Sequence, residues 1–242
     1  MSKIQIHETN LVGTDYICAD IHGHFHLLEA ALEKVNFDFG RDRVFSLGDL
    51  IDRGPESQRA LEFLGYPWFL AILGNHEIML LDAFETDDPD SYQRWFSWGG
   101  QWAEQLSYDE MIPFYEAFIQ LPIAREISLN NGKRIGLVHA ELPDEVSWQH
   151  VRARLASLPG QQFNMHERDI ARMLWAKTQV YRYPDDQTMI QPVAGIDHVF
   201  HGHTIVHVQP ETIQNRTFMD LGSYETGEVG FINPLTFLEH LQ

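Results

Sequence analysis

One cysteine stands in the whole sequence, Cys18, so no internal disulfide can form. It sits in the apolar run Tyr16-Ile17-Cys18-Ala19, where a free thiol reads as a small core residue. No apolar run approaches the length of a membrane span, and Met1 to Gly13 carries no signal-peptide-like apolar segment. These absences together lead to the expectation of a cytoplasmic protein with no membrane partner. Basic residues are scarce as well, 17 Lys and Arg against 35 Asp and Glu, for a formal net charge of −18. A protein that grips a nucleic acid backbone needs a basic stripe, and no Lys/Arg cluster supplies one, so nucleic acid is excluded as a partner.

What is present is ordinary globular composition, 44% hydrophobic and 21% charged over 242 residues, enough to bury a sizeable core. The first ninety residues repeat one pattern, an apolar run ending in a polar motif and followed by a helical periodicity. Tyr16 to Ala19 leads to Asp20, after which Leu28, Ala31, Leu32 and Val35 fall on one helix face. Val44 to Leu47 leads to Gly48-Asp49, and Pro55 is positioned to open a helix in which Ala60, Leu61 and Leu64 face inward. Trp68 to Leu73 leads to Gly74-Asn75-His76. The spacing of these motifs is close to the roughly 30-residue βαβ unit, which predicts three parallel strands.

Residues 92–120 are aromatic and helical in pattern, and Trp95, Trp98 and Trp102 read as core, with a rim position open to one of them. Ala124 to Leu129, a turn at Asn131-Gly132 and Lys133 to His139 read as a β-hairpin. Residues 147–177 read as polar and helical, with 164–178 a candidate cap, and strands return at 198–200, 218–221 and 228–232. No linker or low-complexity tract interrupts the chain, so residues 1–242 read as a single α/β domain.

Five segments put metal-type ligands directly after apolar runs: Asp20-Ile21-His22, Gly48-Asp49, Gly74-Asn75-His76, Val138-His139 and Gly202-His203. Sites assemble at the carboxyl ends of parallel strands. Imidazole, carboxylate and carboxamide form a mixed N/O set that suits manganese, iron or zinc better than calcium. Two bound divalent cations would also reverse the local sign, so the acidic surface does not exclude a phosphorylated ligand. With thirteen histidines present, no single one is persuasive. His24 and His26 read as solvated helix positions, His201 as packing, and His7, His150, His166, His198, His207 and His240 carry no motif.

The run Gly48-Asp49-Leu50-Ile51-Asp52-Arg53-Gly54 is far more specific. Five fixed residues, each of about 6% abundance, arise roughly once per million positions. Gly74-Asn75-His76-Glu77 is of similar character, and His201-Gly202-His203-Thr204 is weaker. In these residues, and in Met219-Asp220-Leu221-Gly222 with Gly230-Phe231-Ile232, the chain resembles the calcineurin-like metallophosphoesterase superfamily. Within it, the chain is similar to the bacterial and phage branch of serine/threonine phosphoprotein phosphatases.

The resemblance implies a metallophosphoesterase-type β-sandwich flanked by helices, with the metal site at strand carboxyl ends. It also implies two divalent metal ions, manganese leading and iron or zinc open. Asp20 and His22 would hold the first, Asp49 would bridge, and Asn75, His139 and His203 would hold the second. Arg53 and Asn75 would bind phosphate, and His76, oriented by Asp52, would be the general acid. The chemistry of these residue types agrees. A bridging ligand needs two oxygens, a guanidinium matches phosphate bidentately, and an imidazole titrates in the range a leaving alkoxide requires.

Two departures matter. Leu73 stands where such phosphatases carry arginine before Gly-Asn-His-Glu, and Lys177 follows Trp175-Ala176 where another arginine is usual. Lys177 is therefore either a partial replacement in the phosphate clamp or a solvated helix residue. The expected activity is hydrolysis of a phosphomonoester, foremost phosphoserine or phosphothreonine in a protein, by metal-activated hydroxide. The alternative is a small phosphoester substrate such as a dinucleoside polyphosphate. Glu77 leans toward the first and the missing arginines toward the second. A non-enzymatic module should have lost a ligand or the acid, and here all are retained.

Overall fold

The structure, a computed structural model, describes residues 2–86, 88–158, 167–182, 186 and 188–241. Two sheets face each other. The smaller contains β2 (Asp15–Cys18), β3 (Arg43–Ser46), β4 (Phe69–Ala71) and β10 (Phe231–Ile232), in the order β10-β2-β3-β4. The expected three strands β2, β3 and β4 are parallel, and β10 adds antiparallel at the edge. The larger sheet runs β1-β5-β6-β7-β9-β8, from β1 (Ile4–His7), β5 (Ala124–Ser128), β6 (Arg134–Val138), β7 (His198–Ile205), β8 (Glu211–Ile213) and β9 (Arg216–Asp220). The hairpin β5-β6 is antiparallel and turns through Gly132, whose φ of 81° only glycine adopts without strain.

Alternation along the strands decides which side chains meet between the sheets. Ile17, Phe45 and Leu47 from the smaller sheet pack against Ile127, Ile135, Leu137 and Phe200 from the larger. Full burial of each such side chain stabilises by about 1.5–3 kcal/mol, and truncating Phe45 to alanine would cost about 3–5 kcal/mol. The opposite face of the smaller sheet, with Cys18, Val44 and Ala71, is covered by Phe25, Leu28 and Leu32 of α1 (Phe25–Lys34) and Phe63 of α2 (Ala60–Leu64). Cys18 is buried there as a free thiol. On the outer face of the larger sheet, Trp148 of α6 (Trp148–Ala156) lies over Gly136, where a Cβ would come within 2.4 Å of the indole.

Some boundaries differ from expectation. Pro55 lies in a turn, and α2 starts at Ala60 after a short 3-10 turn over Ser57–Arg59. Strand β10 is two residues rather than the expected five, pairing with β2 only through Phe231 and Ile232. The polar stretch 147–177 forms α6 and α7 (Arg168–Trp175), and residues 164–166 of the expected cap lie outside the described residues. Lys177 follows α7 in irregular chain, so it is not a helix residue. Between the third βα motif and the hairpin lie α3 (Asn75–Thr86), α4 (Pro89–Ser97) and α5 (Tyr108–Phe118). Asp88 caps α4 with Pro89 in the first turn, and Ser107 with Glu110 forms a capping box on α5. The Asp88 cap sets where α4 starts and so where Trp95 arrives. No helix among the described residues is long and apolar enough to cross a membrane.

Candidate active site

The turns that leave β2, β3 and β4 are tight and partly strained. His22, Asp49, Asp52 and Arg53 all have φ between 46° and 73°, in the left-handed region that non-glycine residues rarely enter. Such strain collects at functional sites, where surrounding bonds hold it in place. The holding bonds are visible. Glu77, fully buried on α3, accepts from the N–H groups of Asp49 (3.0 Å), Leu50 (2.8 Å) and Gly74 (2.8 Å). One carboxylate therefore ties the β3 loop to the β4 loop. A Cβ at Gly74 would fall 2.2 Å from Asp49 Oδ1, so glycine is required there.

His203 was expected to follow a strand, but it lies within β7. The register of β7 on β9 shifts between His201 and Ile205, and His203 takes a φ of 61°. A bulge of this kind re-aims one side chain out of the alternating pattern.

Around Asp49 the donors converge into two groups that share its carboxylate, one with His22 and His76 and the other with His139 and His203. His22 Nε2 is 3.6 Å from Asp49 Oδ2, and His139 Nε2 is 3.4 Å from Oδ1. Asn75 Oδ1 lies 2.9 Å from His139 Nε2. Each imidazole is oriented by a backbone carbonyl: His22 Nδ1 bonds Ile51 O (3.1 Å), His139 Nδ1 bonds Leu47 O (2.7 Å) and His203 Nε2 bonds Trp175 O (3.1 Å). Those bonds leave Nε2 of His22 and His139, and Nδ1 of His203, as the lone-pair nitrogens. Asp20 sits beside the two groups and accepts from His203 N–H at 2.9 and 3.1 Å.

The electrostatics follow from this crowding. Burial would raise the Asp49 carboxyl, but the surrounding imidazoles of His139, His76, His22 and His203 hold it well below the usual range. Burial, with Asp220 and Asp49 nearby, pushes Asp20 well above its usual range. Burial also lowers His22, His139 and His203, the last to about 3, so they are neutral bases at physiological pH. Neutral imidazoles and clustered carboxylates are the form in which such groups bind cations. The donor set thus fits a dinuclear metal centre.

Next to it stands a proton-handling pair. His76 Nδ1 is 2.7 Å from Asp52 Oδ2, and Asp52 also accepts from Trp95 Nε1 (2.9 Å) and Trp102 Nε1 (2.7 Å). Arg53 donates toward Nε2 of His22 (2.9 Å) and of His76 (3.1 Å), and its guanidinium lies 4.3 Å over the Tyr224 ring. Arg53 and Tyr224 open into a cavity of about 310 Å³ that is also lined by His22, Asp49, Asn75, His203 and Lys177. Trp98, 52% exposed, contributes to its wall with Trp175 and Tyr181. Leu73 is buried in the apolar core, away from this cavity. His26 lies outside it, exposed on α1, whereas His24 precedes the helix and is half-buried, its Nδ1 bonded to His22 O (2.7 Å), so it is not the solvated helix position expected. His201 packs against Phe218 in the core.

Three features were not legible in advance. Trp95 and Trp102 read as packing, yet their indole N–H groups hold Asp52. Glu141, fully buried, accepts from Gln179 N–H (2.6 Å) and Thr178 Oγ1 (3.1 Å), which pins the segment carrying Lys177. Tyr224 supplies the face on which Arg53 rests, and only its nearness to the quoted Asp220-Leu221-Gly222 could have signalled it.

Residues 16–207, most of the chain, match the family of calcineurin-like phosphoesterases. The chain belongs to that family. Serine/threonine-protein phosphatase 2 of Salmonella typhimurium is 33% identical over 219 residues, 89% of this chain and 90% of that protein. A symmetrical bis(5'-nucleosyl)-tetraphosphatase of Hamiltonella defensa is 44% identical, but over only 28% of this chain and 26% of its own length. Among solved structures, a protein serine/threonine phosphatase from Saccharomyces cerevisiae superposes with a TM-score of 0.67 at 17% identity. That superposition covers 96% of this chain and 77% of the other, a likeness of fold. The family explains why the two-sheet architecture and the dinuclear donor set occur together, and a phosphoesterase of this kind is a metal-binding hydrolase.

Proposed function

We propose that this phosphoesterase hydrolyses phosphoserine and phosphothreonine in protein substrates. The observation that carries the reading is the sharing of Asp49 by two donor groups, one of which includes His76 with its partner Asp52, next to Arg53. In this reading Asp20 and His22 would hold one divalent cation, Asp49 would bridge, and Asn75, His139 and His203 would hold the other. Manganese is the leading candidate, supported by the mixed nitrogen and oxygen donors. When bound, such a pair supplies Lewis acidity that activates water near neutral pH and neutralises phosphate oxygens.

The chain's own side chains do the rest. Arg53 binds and orients the phosphate through its two-pronged donor, steadied by Tyr224 beneath it, and Asn75 adds an amide donor. Lys177 adds a second positive charge from the cavity wall. His76, in the doubly protonated form with Arg53 turned from Nε2 to the phosphate, delivers the Nε2 proton to the departing oxygen, and Asp52 keeps Nδ1–H paired so that the ring stays oriented. Trp95 and Trp102 keep Asp52 fixed through their indole N–H groups. A cytoplasmic location belongs to the same proposal and is supported by the lone buried thiol of Cys18.

A second reading, hydrolysis of a dinucleoside polyphosphate, is favoured by Leu73 in place of a phosphate-binding arginine and by the flat faces of Trp98 and Trp175 at the cavity. Metal-reconstituted protein assayed against phosphoserine peptides, p-nitrophenyl phosphate and dinucleoside polyphosphates decides between them. The proposal expects the highest kcat/KM among physiological classes for phosphopeptides. Turnover of dinucleoside polyphosphates with none of phosphopeptides would replace it with the second reading.

A further inference from the structure

A cluster of aromatic side chains plays no part in the site just described. Phe37, Phe39, Phe63, Tyr66 and Trp68 line a cavity of about 630 Å³ between the end of α1, the end of α2 and the start of β4. In a parallel sheet the catalytic loops leave the carboxyl ends of the strands, whereas Trp68 immediately precedes β4 and Phe39 precedes β3. The cavity therefore opens at the opposite end of the smaller sheet from the metal centre. The ten residues of α1 run between the two, a span of about 15 Å.

The chemistry of its rim is one-signed. Glu29, Glu33 and Glu62 line the cavity, and Arg59 is the basic residue beside them. Arg59 is itself divided among Glu29 (2.6 Å), Glu62 (3.1 Å) and Glu56 (3.5 Å). Glu33, exposed, is the rim carboxylate that Arg59 does not pair. Arg59 also shows what the surface selects, because its guanidinium sits 5.3 Å over the Phe63 ring while bridging two carboxylates. Inside the cavity Phe39 is 60% exposed and Tyr66 37%, so ring surface beside Glu33 remains available to a second cation. A guanidinium placed there gains both a carboxylate and aromatic faces.

We propose that this cavity is a docking site for a basic peptide segment, an arginine next to an apolar side chain, carried by phosphoprotein substrates. The recruiting role rests on the protein-phosphatase reading; the binding itself does not. Tethering at a second point raises the local concentration of the phosphoresidue at the catalytic end without altering the chemistry there.

Two measurements test it on the metal-loaded enzyme. In the first, calorimetric titration uses an amidated peptide with two arginines flanking a leucine between glycine-serine spacers. Versions with citrulline or glutamate replacing both arginines serve as controls. Saturable, salt-weakened binding of the arginine peptide alone is expected, with the Trp68 indole resonance shifting, and with loss of binding in Glu33→Lys and in Phe39→Ala. Equal binding of the citrulline peptide, or unchanged binding in both variants, overturns the proposal. In the second, a phosphoserine peptide is joined to the arginine segment through a flexible linker of about twelve residues, able to span about 40 Å. Its kcat/KM should exceed that of the unlinked phosphopeptide by roughly tenfold. Glu33→Lys should remove that gain and leave turnover of p-nitrophenyl phosphate unchanged. A gain that survives in Glu33→Lys contradicts docking at this cavity. Peptide binding without hydrolysis of any phosphopeptide would instead sink the protein-phosphatase reading and leave the binding site standing.

Discussion

Replacing His76 with asparagine separates the two things this residue could be. It is a member of one of the metal-type donor groups, with Nε2 4.0 Å from Asp49 Oδ2, and it is also half of a buried pair with Asp52 at 2.7 Å. Proton delivery is its assigned role, because Nδ1 is committed to Asp52 and Nε2 lies 3.1 Å from Arg53, which lines the cavity. Losing a general acid slows the reaction by about 10²–10⁴. The variant leaves Asp52 buried but still paired with Trp95 and Trp102. Stability should then fall by about the worth of one hydrogen bond to a charged group, 1.5–3 kcal/mol. The assay compares an alkyl phosphate or phosphoserine peptide, whose leaving oxygen is strongly basic, with p-nitrophenyl phosphate, whose leaving group needs little protonation. Metal content is measured on the same samples. The full rate loss should appear on the first substrate and shrink on the second, with bound metal nearly unchanged. Equal losses on both would remove the acid role, and a fall in metal content would make His76 a ligand.

Lys177→Ala should raise KM for phosphopeptides by roughly ten- to a hundredfold, the worth of a charge-assisted hydrogen bond, and Lys177→Arg should retain or improve binding. Unchanged kinetics in both variants would make Lys177 a bystander. Glu141→Gln should reproduce part of the Lys177→Ala defect, and the double variant should be no worse than Lys177→Ala alone, because Glu141 acts through the segment it pins. Fully additive losses would separate the two residues. His201, driven down to about 3 by burial and the nearby Arg216, gives a stability prediction for the chelated protein. From about pH 6.5 downward the unfolded chain takes up a proton there that the folded chain refuses until about pH 3. Stability therefore falls with falling pH, by about 1.4 kcal/mol per unit for this group. Urea unfolding between pH 6 and 4 should be less pH-dependent by about one proton in His201→Gln, and identical slopes would refute the burial argument.

The parts of the fold visible in the sequence were those with local periodicity. Three apolar runs each followed by a ligand motif predicted β2, β3 and β4 and their parallel pairing, and Asn131-Gly132 marked the hairpin. Short edge elements were not visible, since four residues at Ile4–His7 or three at Glu211–Ile213 offer too little alternation to distinguish them from loop. The site divides the same way. Gly48-Asp49 through Gly54 and Gly74 through Glu77 are contiguous, so their chemistry reads directly. The bonds of Trp95 and Trp102 to Asp52 cross 43 and 50 residues, and such contacts leave no local trace. In sequence His203 reads as a strand-end residue, because a bulge that turns one side chain out of a continuing strand has no period of its own. Glu141 stands outside every motif, and its role depends on the chain returning to it nearly forty residues later at Thr178 and Gln179.

The central claim is that one carboxylate joins two metal sites, and Asp49→Asn tests it most directly. Bound metal per chain is determined by elemental analysis beside turnover of p-nitrophenyl phosphate, in parent and variant prepared identically. Because both donor groups share Asp49, the account predicts that metal content and activity fall together. A variant with full metal occupancy and normal turnover would contradict it.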